Sequence, residues 1–256
     1  MPELPDIAVF AKNIHAVFAG KKLLRVKVIY GKKLPDTAKA LSEYLDGRVL
    51  RRVYRSGKEF RFEFEGGGLL GLHLMLTGDL FIFEGKNEHR STIIELYFEG
   101  GKSLALTDRM RNAYIKKQPE DRAGADALEL DFEYLKKICN RKTTIKNILL
   151  DQDLIRGIGN GYSDEILWEA RISPYSVASA IPDKKIKELV KIIPHVLNDA
   201  TRKINQAYPG LINNEVKEFL VIHRKVDALS PTGRPILIDT KGSRKTYYTD
   251  EQVLYQ

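Results

Sequence analysis

The chain has 256 residues, 43% hydrophobic and 30% charged, with 42 Lys plus Arg against 34 Asp plus Glu and a formal net charge of +8. That length allows two modest packed domains, and the positive balance favours a polyanionic partner, nucleic acid ahead of an acidic membrane surface. A lone cysteine, Cys139, excludes an internal disulfide and a cysteine-built zinc site, and no apolar run reaches the roughly 18 residues of a membrane helix.

Met1-Pro2-Glu3-Leu4-Pro5-Asp6 precedes an apolar stripe at Ile7, Phe10, Ala11, Ile14, Val17 and Phe18, which predicts an amphipathic first helix behind a short turn. It lacks the basic-then-apolar order of a secretory leader. The hexapeptide also carries a chemical reading. The small side chain of Pro2 favours removal of Met1, which would leave a secondary amine beside the Glu3 carboxylate. With a pKa of about 8, an N-terminal α-amine is partly unprotonated and nucleophilic at neutral pH. Attack by a secondary amine on a sugar C1′ ends in an iminium ion.

From Leu23 to about Tyr114 the pattern is β. Val26, Val28 and Tyr30 alternate, Phe60, Phe62 and Phe64 alternate with charges, and Leu80–Phe83, Thr92–Phe98 and Ser103–Leu106 are short apolar or β-branched runs. Gly66-Gly67-Gly68, Gly85 and Gly100-Gly101 punctuate them, as in a β-sandwich or barrel. Gln118-Pro119-Glu120-Asp121 followed by Ala123-Gly124-Ala125-Asp126 reads as a linker. Helical periodicity then covers Phe132–Cys139, Thr144–Leu150, Asn160–Arg171 and Asp183–Ala207, the last with Pro194 as a kink position. From Val221 the chain returns to short β, with Ile236–Ile238 and Lys245–Tyr248 joined by a turn at 240–243. Basic clusters at Lys21-Lys22, Arg51 to Lys58, Arg109 to Lys117, Lys136 to Lys142 and Arg234 to Lys245 sit beside turns, which suits a groove built from several segments. There is no internal repeat or low-complexity tract.

Arg156-Gly157-Ile158-Gly159-Asn160-Gly161-Tyr162 feeds a helix start, where backbone N–H groups can hold a phosphate and Asn160 can cap the helix or donate to a phosphate oxygen. No Gly-Lys-Ser/Thr follows, so it is not a nucleotide P-loop. His73-Leu74-Met75-Leu76-Thr77-Gly78 joins two predicted strands. Leu76 there is either a buried hairpin residue or an apolar wedge between bases, and Lys58 is either a phosphate contact or a surface lysine.

Taken in order, seven segments make the chain resemble the formamidopyrimidine-DNA glycosylase/endonuclease VIII family along its whole length. They are Pro-Glu-Leu-Pro-Asp at 2–6, Ser-Gly-Lys at 56–58, His-Leu-Met-Leu-Thr-Gly at 73–78, Thr-Asp-Arg-Met-Arg at 107–111, Lys-Thr-Thr-Ile-Lys at 142–146, Gly-Ile-Gly-Asn-Gly-Tyr-Ser-Asp-Glu at 157–165 and Ser-Arg-Lys-Thr-Tyr-Tyr at 243–248. The resemblance implies an α+β fold: an N-terminal helix plus β-sandwich domain over 1–118, a linker over 119–130, a helix-two-turn-helix domain over 131–220 and a β-hairpin finger over 221–256. It implies a bifunctional DNA glycosylase and abasic-site lyase of base-excision repair. Pro2 would be the nucleophile at C1′, with Glu3 assisting sugar-ring opening and proton transfer and Lys58 completing the catalytic set. His73, Leu76, Arg111, Lys146, Asn160 and Arg244 would contact DNA, Leu76 as the wedge. Strand cleavage by β,δ-elimination would need no cofactor. The partner would be damaged DNA, duplex or single-stranded, met by a monomer that binds no membrane and works in the cytoplasm or at the nucleoid, if bacterial.

Two departures from the family matter. Its finger carries four zinc-binding cysteines, and the matching positions here are Leu229, Thr232, Thr249 and Gln252, which predicts a zincless finger packed through Leu229, Ile236, Ile238, Tyr247 and Tyr248. Its Asp-Pro-Arg-Arg-Phe pattern reads here Asp108-Arg109-Met110-Arg111-Asn112. Met110 cannot make the bidentate base contacts of a guanidinium, so weaker discrimination of the opposite base is expected, or single-stranded or bubble substrates. The segment 206–225 that would cap an extruded base does not reveal the lesion. Two rival readings stay open: a non-catalytic relative that binds damaged DNA, and a basic protein of the translation apparatus.

Overall fold

The computed structural model describes residues 1–224, 229–240 and 244–256. Its contacts divide them into two compact units that interleave in sequence: Met1–Pro2, Asp6–Asp121 and Asn205–Glu215 form the first, and Glu3–Pro5, Arg122–Ile204 and Val216–Gln256 the second.

The predicted first helix is α1, Leu4–Phe18. Its stripe is buried: Ile7, Phe10, Ile14 and Phe18 are all 1% exposed or less. The β region then holds β1 (Leu23–Val28), β2 (Leu50–Ser56), β3 (Glu59–Phe64), β4 (Leu69–His73), β5 (Gly78–Glu84), β6 (Thr92–Phe98), β7 (Lys102–Asp108) and β8 (Tyr114–Lys117). They form two four-stranded antiparallel sheets, ordered β1-β6-β7-β5 and β2-β3-β4-β8, which are the sheets of the expected sandwich. The alternation on β3 puts Phe60, Phe62 and Phe64 in the core. On its other face the buried Arg61 bonds Glu59 at 2.6 Å and Asp121 at 2.9 Å.

The all-β expectation between 23 and 114 misses one element, α2 (Ala38–Leu45). Thr37 caps it by accepting from Ala40 N at 3.1 Å, and Leu41 and Leu45 are buried on one face. Two anchoring apolar residues give too little periodicity to stand out in the sequence.

The second unit contains β9 (Ala125–Asp126), α3 (Phe132–Cys139), α4 (Ile145–Leu150), β10 (Ile155–Arg156), α5 (Asn160–Glu169), most of α6 (Asp183–Ala207), β11 (Leu237–Asp239) and β12 (Thr246–Tyr248). Within the segment read as linker, β9 pairs in parallel with β10. Asp131 and Thr144 cap α3 and α4 through their side chains. Pro194 lies inside α6, whose buried stripe is Ile186, Leu189, Ile193, Leu197, Ala200 and Ile204. In the finger β11 pairs antiparallel with β12, Ile238 opposite Tyr247. Most of the expected turn at 240–243 lies outside the described residues, as does Lys225 at the end of the 206–225 segment. Among the described residues, no helix is long and apolar enough to cross a membrane.

Candidate active site

Each unit carries its own share of the predicted residues. In the first, Pro2 is buried. Met1 precedes it, and its α-ammonium pairs with Glu215 Oε2 at 2.8 Å. Asp79 on β5 accepts from Asn214 N at 3.1 Å. Burial pushes the Asp79 carboxyl up, against the pull of that N–H and of the α-ammonium.

Lys58 occupies the two-residue turn between β2 and β3, where Ser56 pairs with Glu59. Gly57 comes first in that turn at φ 57°, as a type II′ hairpin requires. Lys58 itself is 8% exposed, so it is not an ordinary surface lysine. His73 ends β4; its ring stacks on Tyr114 with centroids 5.7 Å apart, and its Nδ1 accepts from Met75 N at 2.8 Å. Gly78 N closes the loop onto Leu74 O at 2.9 Å, and a Cβ at Gly78 would lie 2.2 Å from that oxygen, so glycine is obligatory. This loop buries Leu74 and leaves Leu76 61% exposed. The buried-hairpin alternative for Leu76 therefore fails.

Asp108, at the end of β7, organises the neighbouring loop. Its carboxylate accepts from the Thr77 hydroxyl, from Met110 N at 2.9 Å, Asn112 N at 2.6 Å and Ala113 N at 2.8 Å. Burial pushes this carboxyl up, but those donors outweigh burial and hold it below the usual carboxylate range. Arg111 takes φ 55° and lays its guanidinium 4.3 Å from the centre of the Tyr30 ring. Met110 is 49% exposed.

In the second unit, Glu3 is 4% exposed and sits at the start of α5. Its carboxylate accepts from Gly159 N at 2.6 Å, Gly161 N at 2.8 Å and Tyr162 N at 3.3 Å. These are N–H groups that the sequence suggested for a phosphate, and here they hold a carboxylate of the chain itself. That explains the glycines. A Cβ at Gly159 would fall 2.3 Å from the Glu3 carboxyl carbon, and one at Gly157, where φ is 109°, would fall 2.6 Å from Leu4 Cδ1. Asn160 does not cap the helix with its side chain; its Nδ2 donates to Lys245 O at 2.9 Å. Lys146 is buried, with its ammonium on Asp164, whereas Arg244 is exposed.

The finger departs from the packing expected of it. Leu229 is 61% exposed; the buried apolar residues are Trp168, Ile222 and Tyr247, with Val221, Ile236 and Ile238 against them. Leu229 pairs with Pro235 in an isolated antiparallel bridge across the Ser230–Arg234 turn and is not part of that cluster, while Tyr248 meets Tyr175 edge-on at 5.4 Å. At the other positions matching zinc ligands, Thr232 and Thr249 donate to Glu251 Oε2 at 2.7 and 3.2 Å, and Gln252 Nε2 donates to Ile172 O at 2.8 Å. The Thr232 hydroxyl foremost, with Arg171 and Thr249, holds the Glu251 carboxyl low. Leucine offers no donor atom, and threonine hydroxyls and an amide are poor zinc ligands, so these residues do not fit the metal. Glu165, the last residue of the 157–165 segment, has a role that its sequence position does not reveal. Its carboxylate accepts from Val221, Ile222 and His223 N at 2.8–2.9 Å, the role of a hub that a lone acidic residue in a helix does not advertise.

Comparison with known proteins gives these features a family. Residues 1–115 match the formamidopyrimidine-DNA glycosylase N-terminal domain and residues 123–208 its H2TH domain. The formamidopyrimidine-DNA glycosylase of Geotalea uraniireducens is 30% identical, with 98% of each chain covered, and that of Carboxydothermus hydrogenoformans is 32% identical over 77% of this chain and 76% of its own. In fold, the chain is similar to Lactococcus lactis Fpg in complex with abasic-site DNA, with a TM-score of 0.86 at 19% identity over 96% of this chain and 97% of that one. The same Fpg with FAPY-dG DNA gives 0.86 at 20% identity, over 96% and 98%. The chain belongs to the formamidopyrimidine-DNA glycosylase/endonuclease VIII family.

Proposed function

We propose that this protein is a DNA glycosylase of base-excision repair with abasic-site lyase activity, acting through the Pro2 amine after loss of Met1. The observation that carries the reading is the Glu3 carboxylate, buried on the N–H groups of Gly159, Gly161 and Tyr162 immediately after Pro2. A carboxylate fixed in this way anchors the residue next to the nucleophile and offers a charged group for proton transfer at the sugar. The net charge of +8, and relatives named for excision of formamidopyrimidines, support DNA as the substrate.

In this mechanism the Pro2 nitrogen bonds to C1′, and the damaged base leaves with its bonding electrons and takes up the proton shed by the Pro2 nitrogen. Glu3 passes a proton from solvent to O4′, so that the C1′–O4′ bond breaks and an iminium remains. The iminium acidifies the C2′ proton; its removal expels the 3′ phosphate, and a second elimination expels the 5′ phosphate. Water then releases the amine. Lys58, His73, Arg111 and Arg244 serve the DNA backbone, Arg244 at a phosphate, and Leu76 the gap left by the extruded nucleotide. Damaged duplex or single-stranded DNA would be met by a monomer in the cytoplasm or at the nucleoid, if bacterial. Residues 1–118 would serve as the catalytic domain, 131–220 as the helix-two-turn-helix domain and 221–256 as the finger; the segment read as a linker joins the second unit from Arg122 onward, and Asn205–Glu215 belongs with the first.

Borohydride trapping on duplex DNA with one abasic site tests this, with the N-terminus confirmed as Pro2. A covalent adduct is expected, lost in Pro2→Gly while DNA binding persists. Tight binding without an adduct would favour a non-catalytic binder instead.

A further inference from the structure

Lys146, Asn160 and Arg244 are three residues the sequence marks for DNA, yet two of them turn inward to one stretch of backbone. The Lys146 ammonium is buried and donates to Asp164 Oδ1 at 2.6 Å, Thr246 Oγ1 at 2.9 Å and Lys245 O at 3.4 Å. Asn160 Nδ2 donates to the same Lys245 carbonyl. The second Asp164 oxygen accepts from Tyr247 N at 3.2 Å and meets His223 Nδ1 at 2.8 Å. Residues 245, 246 and 247 are thus each gripped from α4 or α5, while Arg244 just before them is exposed.

Each strand of the hairpin is only three residues long, too short to fix its own direction. A buried ammonium is tolerated where acceptors surround it, and those acceptors are then held as firmly as the ammonium. We propose that Lys146 is a positioning residue: through the Lys245 carbonyl and the Thr246 hydroxyl it sets where Arg244 leaves the hairpin, so a lysine that stays off DNA governs a phosphate contact. This rests on the DNA-repair reading above.

The test is binding to duplex DNA carrying one tetrahydrofuran abasic analogue, followed across salt concentration for wild type, K146M, R244A and the double variant. K146M and R244A should each weaken binding about tenfold and lower the salt slope by about one, and the double variant should bind no worse than R244A. Losses that multiply in the double variant would overturn the proposal, because Lys146 would then act on DNA independently. Should K146M fail to fold with Asp164 left unpaired, K146M/D164N removes both charges and T246V removes only the hairpin acceptor. Both should lower the slope in the wild-type background and be silent in R244A; an unchanged slope in both overturns the proposal. If wild type binds no damaged DNA, the underlying reading falls together with this one, a case recognised by R244A also having no effect.

Discussion

In the sandwich, Phe60 and Phe62 on β3 and Leu70 on β4 are fully buried, and seven-residue strands such as β5 and β7 pair along their length. In the finger, two three-residue strands rest on a cluster that, among the described residues, buries just Trp168, Ile222 and the strand's own Tyr247. Shape there is fixed by carboxylates: Asp164 on Tyr247 N, Glu165 on the N–H groups of 221–223, and Glu251 on Thr232 and Thr249. Burial pushes the Glu165 carboxyl up even though those N–H groups pull the other way. The difference teaches that where apolar area is scarce, direction comes from polar groups that cost free energy to bury. They specify a geometry more than they stabilise it.

That contrast breaks most visibly in the sandwich. Phe62→Ala leaves a cavity in the core and should cost about 3–5 kcal/mol, read as a fall in the urea midpoint. A cost below about 1 kcal/mol would mean that the sheets do not rely on apolar area. Asp108→Asn probes a charge at the sandwich edge. The native carboxyl is held below its ordinary value of 3.8, so its stabilisation is present at neutral pH and is lost as pH falls through the depressed native pKa. The variant should be about 1–3 kcal/mol less stable at pH 7, with the gap narrowing toward pH 3. Thermal midpoints across that range decide it; a gap independent of pH would remove the charge from the account. Leu229→Ala in the finger should change stability by less than about 0.5 kcal/mol, because the side chain is exposed. A loss above about 1 kcal/mol in thermal unfolding would return Leu229 to the finger's core.

Long periodic elements were legible in the sequence: α3 and α6 lie where their apolar spacing puts them, and β3 and β6 where alternation or β-branching does. Helix α2 was not, because two buried leucines behind a Thr37 cap make a weak signal. At the site, residue types were readable but not their partners. The glycines at 157 and 159 suggested a phosphate, whereas close approach by Leu4 and Glu3 is what requires them. Lys146 shows the same limit, since no spacing rule tells a lysine facing DNA from one buried on an aspartate a helix away.

Cys139 has its thiol pushed up to about 12 by burial in α3. It is a protonated, shielded sulfur at neutral pH, and peroxides attack thiolates. The four finger positions matched by resemblance to zinc-binding cysteines are Leu229, Thr232, Thr249 and Gln252, none of which an oxidant can convert to a disulfide. A hairpin held by carboxylates, hydroxyls and amides has no thiolate for a peroxide to oxidise, so the geometry that carries Arg244 does not depend on the redox state of sulfur.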